Sequence, residues 1–293
     1  MRSFIRKPTL GLALGGGGAR GLAHIGVLKV LSAENISIDF LSGTSMGGII
    51  AAFHACGVSL DRLEDEAKRM GKLTELTKLV DRTIARLDFI INGENVQDYF
   101  SKVIGRGRTF ESLHIPLALA AVDMNSASEV TLQSGGLAKA LNATMGLPGI
   151  VEPVKYEDMI LVDGGSLNNV PADLVRSMGA EVVVAVDVSP DVNDREFWEG
   201  QKLPGIAAAN WRSNAIMVAN ITKAKLQKAQ ADFVIRPELD NRITTLSGFK
   251  YADDIIASGA KAAWEVLPQL HRQLKSRFFL VRPQRNPAIA MKL

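Results

Sequence analysis

The feature that most constrains this chain is a glycine–serine–glycine turn between an apolar run and a helix-forming segment. Residues 40–42 lead into Gly43-x-Ser45-x-Gly47, and residues 48–53 are small or apolar. A serine in a sharp strand-to-helix turn needs neighbours without bulk, and glycine has no Cβ. The pattern therefore predicts a nucleophile elbow that exposes the Ser45 hydroxyl at a helix N-terminus, where negative charge is favoured. The alternative is a glycine-rich loop with an unreactive serine, because such strings also arise by chance.

A second glycine-rich loop lies near the start of the chain, between a predicted strand and a predicted helix. The apolar run 9–14 leads into Gly16-x-Gly18-x-x-Gly21, and apolar residues then recur at helical spacing over 22–31. This pattern matches the fingerprint of dinucleotide-binding folds, in which glycines let the chain approach a pyrophosphate. One interpretation of the loop is therefore a nucleotide site.

The next predicted strand separates this interpretation from a second one. Asp39 stands about where a dinucleotide fold places its ribose-binding acid, but the chain runs from there directly into the elbow. Two successive strands would then bring the loop and Ser45 to the carboxyl edge of one sheet. There the amides of Gly16, Gly17 and Gly18 could bind the oxyanion of an acyl-transfer reaction. The context favours this second function.

A third motif closes the predicted strand 159–163. Asp163 is followed by Gly164 and Gly165. Asp–Gly pairs are ordinary signals of tight turns, so turn chemistry alone could explain them. The functional interpretation is a carboxylate at a strand end, with small neighbours that let a substrate or a serine come close.

The alternation of predicted strands and helices indicates the fold class. Strands are predicted at 115–123, 159–163 and 181–188, with helices between them. This order is typical of an α/β fold with three α/β/α layers, in which a mainly parallel central sheet carries helices on both faces.

The C-terminal hundred residues and one internal segment carry weaker patterns. Helices are predicted over 207–229 and 251–267, with a late strand over 231–237 between them, and Trp211 and Ile216 of the first helix are expected to pack on the sheet. The apolar segment 83–93 has no clear period and is predicted to form a helix or a lid.

Composition excludes several classes of protein. Hydrophobic residues make up 47% and charged residues 22%, as in soluble globular proteins. No apolar run reaches the roughly 18 residues that span a bilayer, and the basic first residues lack the apolar core of a signal peptide. One cysteine fits a reducing compartment, and the four histidines lack metal-ligand spacing. We therefore expect a cytoplasmic protein without metal or cofactor.

Charge narrows the range of partners. The net charge is +3, which is too small to indicate nucleic acid, and no basic run is interleaved with aromatic residues. A mild attraction to anionic surfaces is compatible with this charge. Peripheral contact with membranes is therefore retained as a hypothesis, and nucleic acid is not expected as a partner.

The three motifs, in this order, resemble the patatin-like phospholipase family, including the bacterial relatives of neuropathy target esterase. The likeness rests on 16–21, 43–47 and 163–165, and it covers about residues 9–190. It implies a patatin-like fold with a catalytic domain over 9–190. Residues 191–293 are then expected to form a helical extension that packs on the same domain.

The resemblance also implies roles for individual residues. Ser45 is the nucleophile and Asp163 its base, in a Ser–Asp dyad. The oxyanion hole is assigned to the amides of Gly17, Gly18, Ala19 and Met46, to which the loop pattern itself adds Gly16. The residues expected to support these motifs are Arg20, Gly21, Gly43, Gly47, Gly164 and Gly165.

The expected function is hydrolysis of fatty-acyl esters of phospholipids or lysophospholipids through an acyl-enzyme. Serine needs an adjacent base, and burial makes an aspartate a stronger one. Three alternatives stay open: a general carboxylesterase of soluble esters, a nucleotide-binding protein that uses the glycine loop, and a catalytically idle scaffold. Lipid or another acyl ester is the expected partner.

A dyad leaves no catalytic role for histidine. Enzymes of the α/β-hydrolase type follow the order serine, acid, histidine, and after Asp163 only His271 remains, in a charged segment. His24 follows the glycine loop, but its apolar neighbours predict packing, and Arg20 is expected to bind backbone carbonyls. A carboxylate base predicts that kcat/KM rises through the acidic range without a histidine limb near pH 6.5.

Overall fold

The computed structural model describes residues 5–70, 93–192, 205–240, 243, 248–276 and 279–280. Within these ranges the strands are Ile5–Arg6 (β1), Leu10–Leu14 (β2), Phe40–Gly43 (β3), Leu117–Asp123 (β4), Ser128–Leu132 (β5), Val154–Tyr156 (β6), Met159–Asp163 (β7), Val182–Val186 (β8), Phe233–Ile235 (β9) and Phe279–Leu280 (β10). The α-helices are Ala23–Ala33 (α1), Met46–Ala55 (α2), Leu60–Met70 (α3), Gly93–Ile104 (α4), Leu137–Thr144 (α5), Gly165–Asn168 (α6), Ala172–Ser177 (α7), Ile206–Ala229 (α8) and Ala252–Ser276 (α9). Short 3₁₀ helices cover Gly18–Leu22, Phe110–Ser112 and Gly248–Tyr251.

The central sheet has a parallel core and an antiparallel edge. Its strand order is β6-β7-β4-β3-β2-β8-β9, and β5 pairs with β4. The strands from β4 to β9 in this order run parallel to their neighbours. In contrast, β5 and β7 are antiparallel to β4, and β6 is antiparallel to β7. The predicted α/β fold with a central sheet is confirmed, and the antiparallel direction of the edge strands was not predicted from the sequence.

The central strand β2 is buried on both faces, which is why its sequence is apolar without interruption. Leu12 and Leu14 belong to the core shared with α1, α2 and α9. Ala13 belongs to a second core on the other face, together with Val175 of α7 and Leu226 of α8. Helices therefore cover both faces of the sheet, as the strand–helix alternation predicted.

The last long helix packs directly on the first one. A Cβ atom at Gly26 of α1 would lie 2.0 Å from the carbonyl oxygen of Ile256, and one at Gly259 of α9 would lie 1.9 Å from that of Ala23. Both glycines therefore let the two backbones touch. Since β9 also pairs with β8, the range 191–293 contributes a strand as well as helices, and this strand lies within the predicted strand 231–237.

The helix α8 differs from its prediction in what it contacts. Trp211 and Ile216 are 47% and 42% exposed, so the expectation that they pack on the sheet was wrong. The helix contacts the short helices α6 and α7, and its buried residues Thr222, Leu226 and Ala229 all lie in its C-terminal part. The N-terminal part of α8 has no comparable partner among the described residues.

Three further comparisons with the sequence concern individual segments. α9 continues through Pro268 to Ser276, whereas its prediction ended at 267. The segment 83–93, predicted to form a helix or a lid, lies outside the described residues. In the described ranges, no helix is both long enough and apolar enough to span a membrane.

Candidate active site

Ser45 lies on a strained turn between β3 and α2. Its backbone angles are φ 53° and ψ −127°, a region that residues with a side chain rarely occupy. A Cβ atom at Gly43 would lie 2.5 Å from the Cα atom of Gly48, and one at Gly47 would lie 2.2 Å from the carbonyl oxygen of Leu14. The turn therefore closes only with glycine at both positions, as expected for an elbow.

Asp163 reaches the elbow from the antiparallel edge of the sheet. It ends β7 and pairs with Ala121 of β4, two residues beyond Leu119, which pairs with Gly43 at the end of β3. β7 runs antiparallel to β4, along the part of β4 that extends beyond the end of β3. The C-terminal end of β7 therefore lies near the carboxyl edge of the parallel strands. The sequence placed Asp163 at a strand end but did not predict this direction.

The Asp163 carboxylate is buried and faces the Ser45 hydroxyl. Its residue is 6% exposed, and the Gly165 N–H donates to Oδ1 at 2.8 Å. Burial raises the pKa of Asp163 to about 6, although the hydrogen bonds from Gly165 and from the Ser45 side chain lower it. The structure therefore sets the Ser45 hydroxyl beside a carboxylate that is more basic than an ordinary aspartate.

The glycines after Asp163 are required by close contacts. A Cβ atom at Gly164 would lie 2.5 Å from the carbonyl oxygen of Ala120. One at Gly165 would lie 3.1 Å from Asp163 Oδ1. Both residues therefore let the carboxylate lie against the sheet.

Side-chain hydroxyls tie the elbow to the Asp163 loop. Ser42 Oγ donates to the carbonyl oxygen of Pro171, and Thr44 Oγ1 donates to that of Asn168, both at 2.7 Å. These two donors are completely buried. They fix the end of β3 and the elbow against the segment that follows Asp163.

Thr144 holds the serine itself. Its Oγ1 accepts the backbone N–H of Ser45 at 3.1 Å and donates to the carbonyl oxygen of Ala120 at 2.6 Å. The sequence analysis did not single out Thr144, because nothing in the local pattern at the end of α5 indicates a partner 99 residues earlier.

The glycine loop presents open amides, but not all of those predicted. The Gly16 N–H donates to the carbonyl oxygen of Asn169 at 3.0 Å, so the assignment of Gly16 to the oxyanion hole does not fit this structure. Gly18 and Ala19 begin a 3₁₀ helix and Met46 begins α2, so their N–H groups have no partner within those helices. No acceptor for the Gly17 N–H occurs in the part of the chain that the structure describes.

Arg20 braces the loop from behind, as the sequence predicted. Its Nε donates to the carbonyl oxygen of Val188 at 2.7 Å, and its terminal nitrogens reach those of Ile243 at 3.2 Å and Ser189 at 3.5 Å. Burial lowers the pKa of Arg20, while the charge of Asp187 raises it. The Arg20 side chain therefore donates its hydrogen bonds to backbone carbonyls.

Gly21 is needed for contact between the loop and the elbow. A Cβ atom there would lie 2.6 Å from Cγ of Met46. The first turn after the glycine loop thus packs directly on the first residue of α2.

His24 supports the loop as well. Its ring is fully buried, and its Nε2 lies 2.7 Å from the carbonyl oxygen of Gly15, which assigns the proton to Nε2. Burial lowers the pKa of His24 to about 4, although the hydrogen bond to Gly15 and the charge of Asp187 raise it. The ring is therefore neutral at physiological pH and is bonded to the backbone.

The other histidines lie elsewhere. His54 is half-buried near the end of α2, and burial lowers its pKa. His114 is exposed, and His271 lies 3.7 Å from Glu34 on the surface. All four histidines belong to the described residues, and none appears among the groups that shift the pKa of Asp163.

The position of Asp39 argues against a nucleotide site at the glycine loop. It precedes β3 at the amino edge of the sheet, where its Oδ2 accepts the N–H of Leu10 at 2.7 Å. A ribose-binding acid would follow its strand, at the carboxyl edge beside the glycine loop. In this structure Asp39 and the glycine loop lie at opposite ends of β2.

Comparison with known proteins places these features in a family. The family model of patatin-like phospholipases matches residues 12–176. Human patatin-like phospholipase domain-containing protein 6 is 34% identical over 203 residues, which is 67% of this chain but 14% of that protein. An NTE family protein of Mycobacterium tuberculosis is 34% identical over 183 residues, covering 62% of this chain and 50% of the relative. This chain thus spans only a small part of its mammalian relatives.

A solved structure supports the same fold. VipD from Legionella pneumophila aligns with a TM-score of 0.56 at 12% identity, covering 91% of this chain and 68% of that one. The matched family region, 12–176, is more than half of the 293 residues and contains all three motifs. The chain therefore belongs to the patatin-like phospholipase family.

Proposed function

We propose that this protein is a serine acyl hydrolase that cleaves fatty-acyl ester bonds of phospholipids or lysophospholipids. The observation that carries the proposal is the strained Ser45, whose hydroxyl faces the buried Asp163 beside a loop with open amides. The names of the mammalian relatives, patatin-like phospholipase domain-containing proteins, support the choice of lipid esters.

In the first half of the reaction, Ser45 Oγ attacks the ester carbonyl and Asp163 accepts the hydroxyl proton. Asp163 must be ionised for this step, and its raised pKa makes it a better proton acceptor. The tetrahedral oxyanion then collapses, the C–O bond to the alcohol breaks, and the alcohol oxygen takes the proton from Asp163. The products are an acyl-serine and the free alcohol.

In the second half, water attacks the acyl-serine. Asp163 accepts a proton from the water, a second oxyanion forms, and its collapse returns the proton to Ser45 and releases the fatty acid. The base thus ends in the ionised state in which it began, and no metal or redox partner is required by the proton balance.

The oxyanion is assigned to the amides of Gly17 and Gly18, with those of Ala19 and Met46 nearby. These are the groups of the loop and of the α2 N-terminus that no helical bond uses. The positive end of the α2 dipole adds to the stabilisation of the anion. Each donor of this kind is worth about 100- to 1,000-fold in rate.

A carboxylesterase of soluble esters would use the same groups, so the substrate class needs its own measurement. The experiment is fluorophosphonate labelling with mapping of the modified residue, followed by hydrolysis of phosphatidylcholine vesicles, lysophosphatidylcholine micelles and p-nitrophenyl butyrate. We expect label on Ser45 and higher activity on the aggregated lipids than on the soluble ester. Contact with the membrane surface is proposed to be peripheral.

Ser45→Ala should abolish hydrolysis, by at least about 10⁴-fold, and leave the fold intact, because alanine is no larger than serine at the elbow. Ser101→Ala is a matched control, since that hydroxyl bonds the Gln97 carbonyl of its own helix. Label on another serine, with Ser45 unmodified, would overturn the assignment. Preference for the soluble ester over both lipids would instead select the carboxylesterase.

A further inference from the structure

Asn169 contacts the glycine loop at two points. It follows α6, is 7% exposed, and its backbone oxygen accepts the Gly16 N–H at 3.0 Å. Its side-chain Nδ2 donates to the carbonyl oxygen of Gly16 at 3.2 Å and to Ser189 Oγ at 3.1 Å. One residue therefore holds both polar groups of Gly16 and also the segment after β8.

The contact to the Gly16 carbonyl has a consequence for the next peptide group. A trans peptide is planar, and its C=O and N–H point in opposite directions. The carbonyl of Gly16 and the N–H of Gly17 belong to one such plane. An amide that binds the Gly16 carbonyl therefore also fixes the direction of the Gly17 N–H, away from Asn169.

We propose that Asn169 is a positioning residue that orients the Gly17 N–H for the oxyanion. The inference rests on the proposed hydrolase function and adds to it a residue outside the three sequence motifs. Asn169 lies six positions after Asp163 in the chain, and α6 connects the two. The same short segment thus places the base and aligns the anion donor. The position of Asp163 and the direction of the Gly17 N–H are therefore fixed relative to each other.

The chain provides a matched control one residue earlier. Asn168 is fully buried, and its Nδ2 donates to Glu129 and, at 2.8 Å, to Asp173. Its side chain has the same amide group and makes the same number of these contacts, but its partners are carboxylates and neither belongs to the glycine loop. Loss of an amide at 168 therefore reports the cost of a buried hydrogen bond without loss of loop alignment.

The first test compares Asn169→Ala with Asn168→Ala on a lipid ester. Asn169→Ala should lower kcat by about 100-fold, the cost of one misdirected oxyanion donor, with little change in KM. Asn168→Ala should lower kcat by less than about tenfold, because its hydrogen bonds end on Glu129 and Asp173 and their loss leaves the glycine loop in place. Asn169→Asp keeps the shape but offers the Gly16 carbonyl an acceptor, so it should not restore activity.

A pair of inhibitors separates alignment from general damage. An acyl trifluoromethyl ketone forms a tetrahedral oxyanion on Ser45, whereas an ether analogue of the lipid binds without one. Asn169→Ala should weaken the ketone by the same factor as kcat/KM and leave the ether unchanged. Equal losses for both inhibitors, or equal losses of kcat in the two alanine variants, would overturn the proposal.

A readout without catalysis keeps the proposal separate from the proposed function. In the free protein, Asn169→Ala should shift the ¹⁵N and ¹H resonances of the Gly17 amide, whereas Asn168→Ala should shift neither. If the wild type neither labels nor hydrolyses esters but these shifts occur, the hydrolase function fails and the orienting contact stands. An unchanged Gly17 resonance in a folded Asn169→Ala protein would overturn the orienting role itself.

Discussion

The carboxyl edge of the sheet and the N-terminal half of α8 are built in opposite ways. At the edge, Ser42, Thr44 and Thr144 are completely buried, and each hydroxyl has a hydrogen-bond partner from another element. From 205 to 221, no described side chain is buried, and Ile206 is 91% exposed. Substitutions should therefore affect activity strongly at the edge and weakly along this half of the helix.

Asp163→Asn should have the largest effect of the variants considered in this comparison. The asparagine cannot accept the serine proton, so activity on any ester should fall by on the order of 10³-fold or more. The same substitution should increase the stability of the folded protein. The pKa of Asp163 is about 6 in the folded state, above the ordinary value near 3.9, so ionisation opposes folding.

The sign of the stability effect follows from this shift. The contribution of Asp163 to stability is fully present below about pH 4 and is lost as the pH rises through about 6. Asp163→Asn should therefore raise the free energy of unfolding by roughly 2–3 kcal/mol at pH 8 and by little at pH 4. Urea unfolding at the two pH values measures this difference. A variant that is less stable than the wild type at pH 8 would contradict the pKa assignment.

A valine introduced at the carboxyl edge, Gly17→Val, can be compared with a valine introduced on α8. A Cβ atom at Gly17 would lie 2.8 Å from Cγ2 of Val188, so valine must push the loop away from the segment that follows β8. We expect kcat to fall by about 100- to 1,000-fold, through loss of an oxyanion donor. The backbone angle φ of 174° at Gly17 is one that any residue adopts, so the effect is steric.

The matching change on the helix is Ala208→Val, at an exposed position of α8. It should alter kcat by less than about twofold and Tm only slightly, as surface substitutions usually do. Thermal melts of both variants show whether they are folded. If Ala208→Val were as harmful to activity as Gly17→Val, the contrast between the two regions would be wrong.

The pH profile should show the burial of Asp163, the proposed base. With a pKa of about 6 for Asp163, kcat/KM should fall about tenfold for each pH unit below 6. The sequence predicted no limb near pH 6.5, and burial brings the carboxylate limb close to that value. Carboxyl groups ionise with almost no enthalpy change, whereas imidazole ionisation is strongly endothermic. A limb that keeps its position between 10 and 35 °C is therefore expected, and a limb that moves with temperature would indicate histidine.

The sequence predicted the parts of this site that are encoded locally. The elbow, the glycine loop and the Asp–Gly–Gly turn each depend on residues within a few positions of one another. In contrast, Thr144 and Asn169 act on partners 99 and 153 residues away, and no pattern around either residue indicates those partners. The Gly16 N–H is bonded to the backbone oxygen of the equally distant Asn169. The sequence does not indicate this bond, and it therefore assigned Gly16 wrongly to the oxyanion hole.

The sequence did not predict that the N-terminal half of α8 is exposed, and the reason is related. Apolar residues at helical spacing predict a buried face, but they do not say how far the neighbouring layer extends. Here α6 is only four residues long and α7 six, so they cover only part of a helix of 24 residues. The direction of β7 is likewise set by its pairing with β4, which its own five residues do not encode.

His24→Gln should have the smallest effect within the site, although the residue is fully buried. The imidazole donates to the Gly15 carbonyl at 2.7 Å, and a glutamine amide can supply the same donor from the same helix. The Gly15 N–H is held independently by the carbonyl of Val186 at 3.0 Å. Since at most one neutral hydrogen bond is at risk, activity should fall by less than about tenfold.

His24→Ala is the stronger variant of this test, because it removes the donor and leaves a cavity beside the loop. It should lower kcat more than His24→Gln, and both should keep the acidic limb of the pH profile in place. A role in support predicts this graded series, with the glutamine acting as a rescue. A His24→Gln protein that is folded yet as inactive as Ser45→Ala would instead make His24 the base, and the Ser–Asp dyad would have to be abandoned.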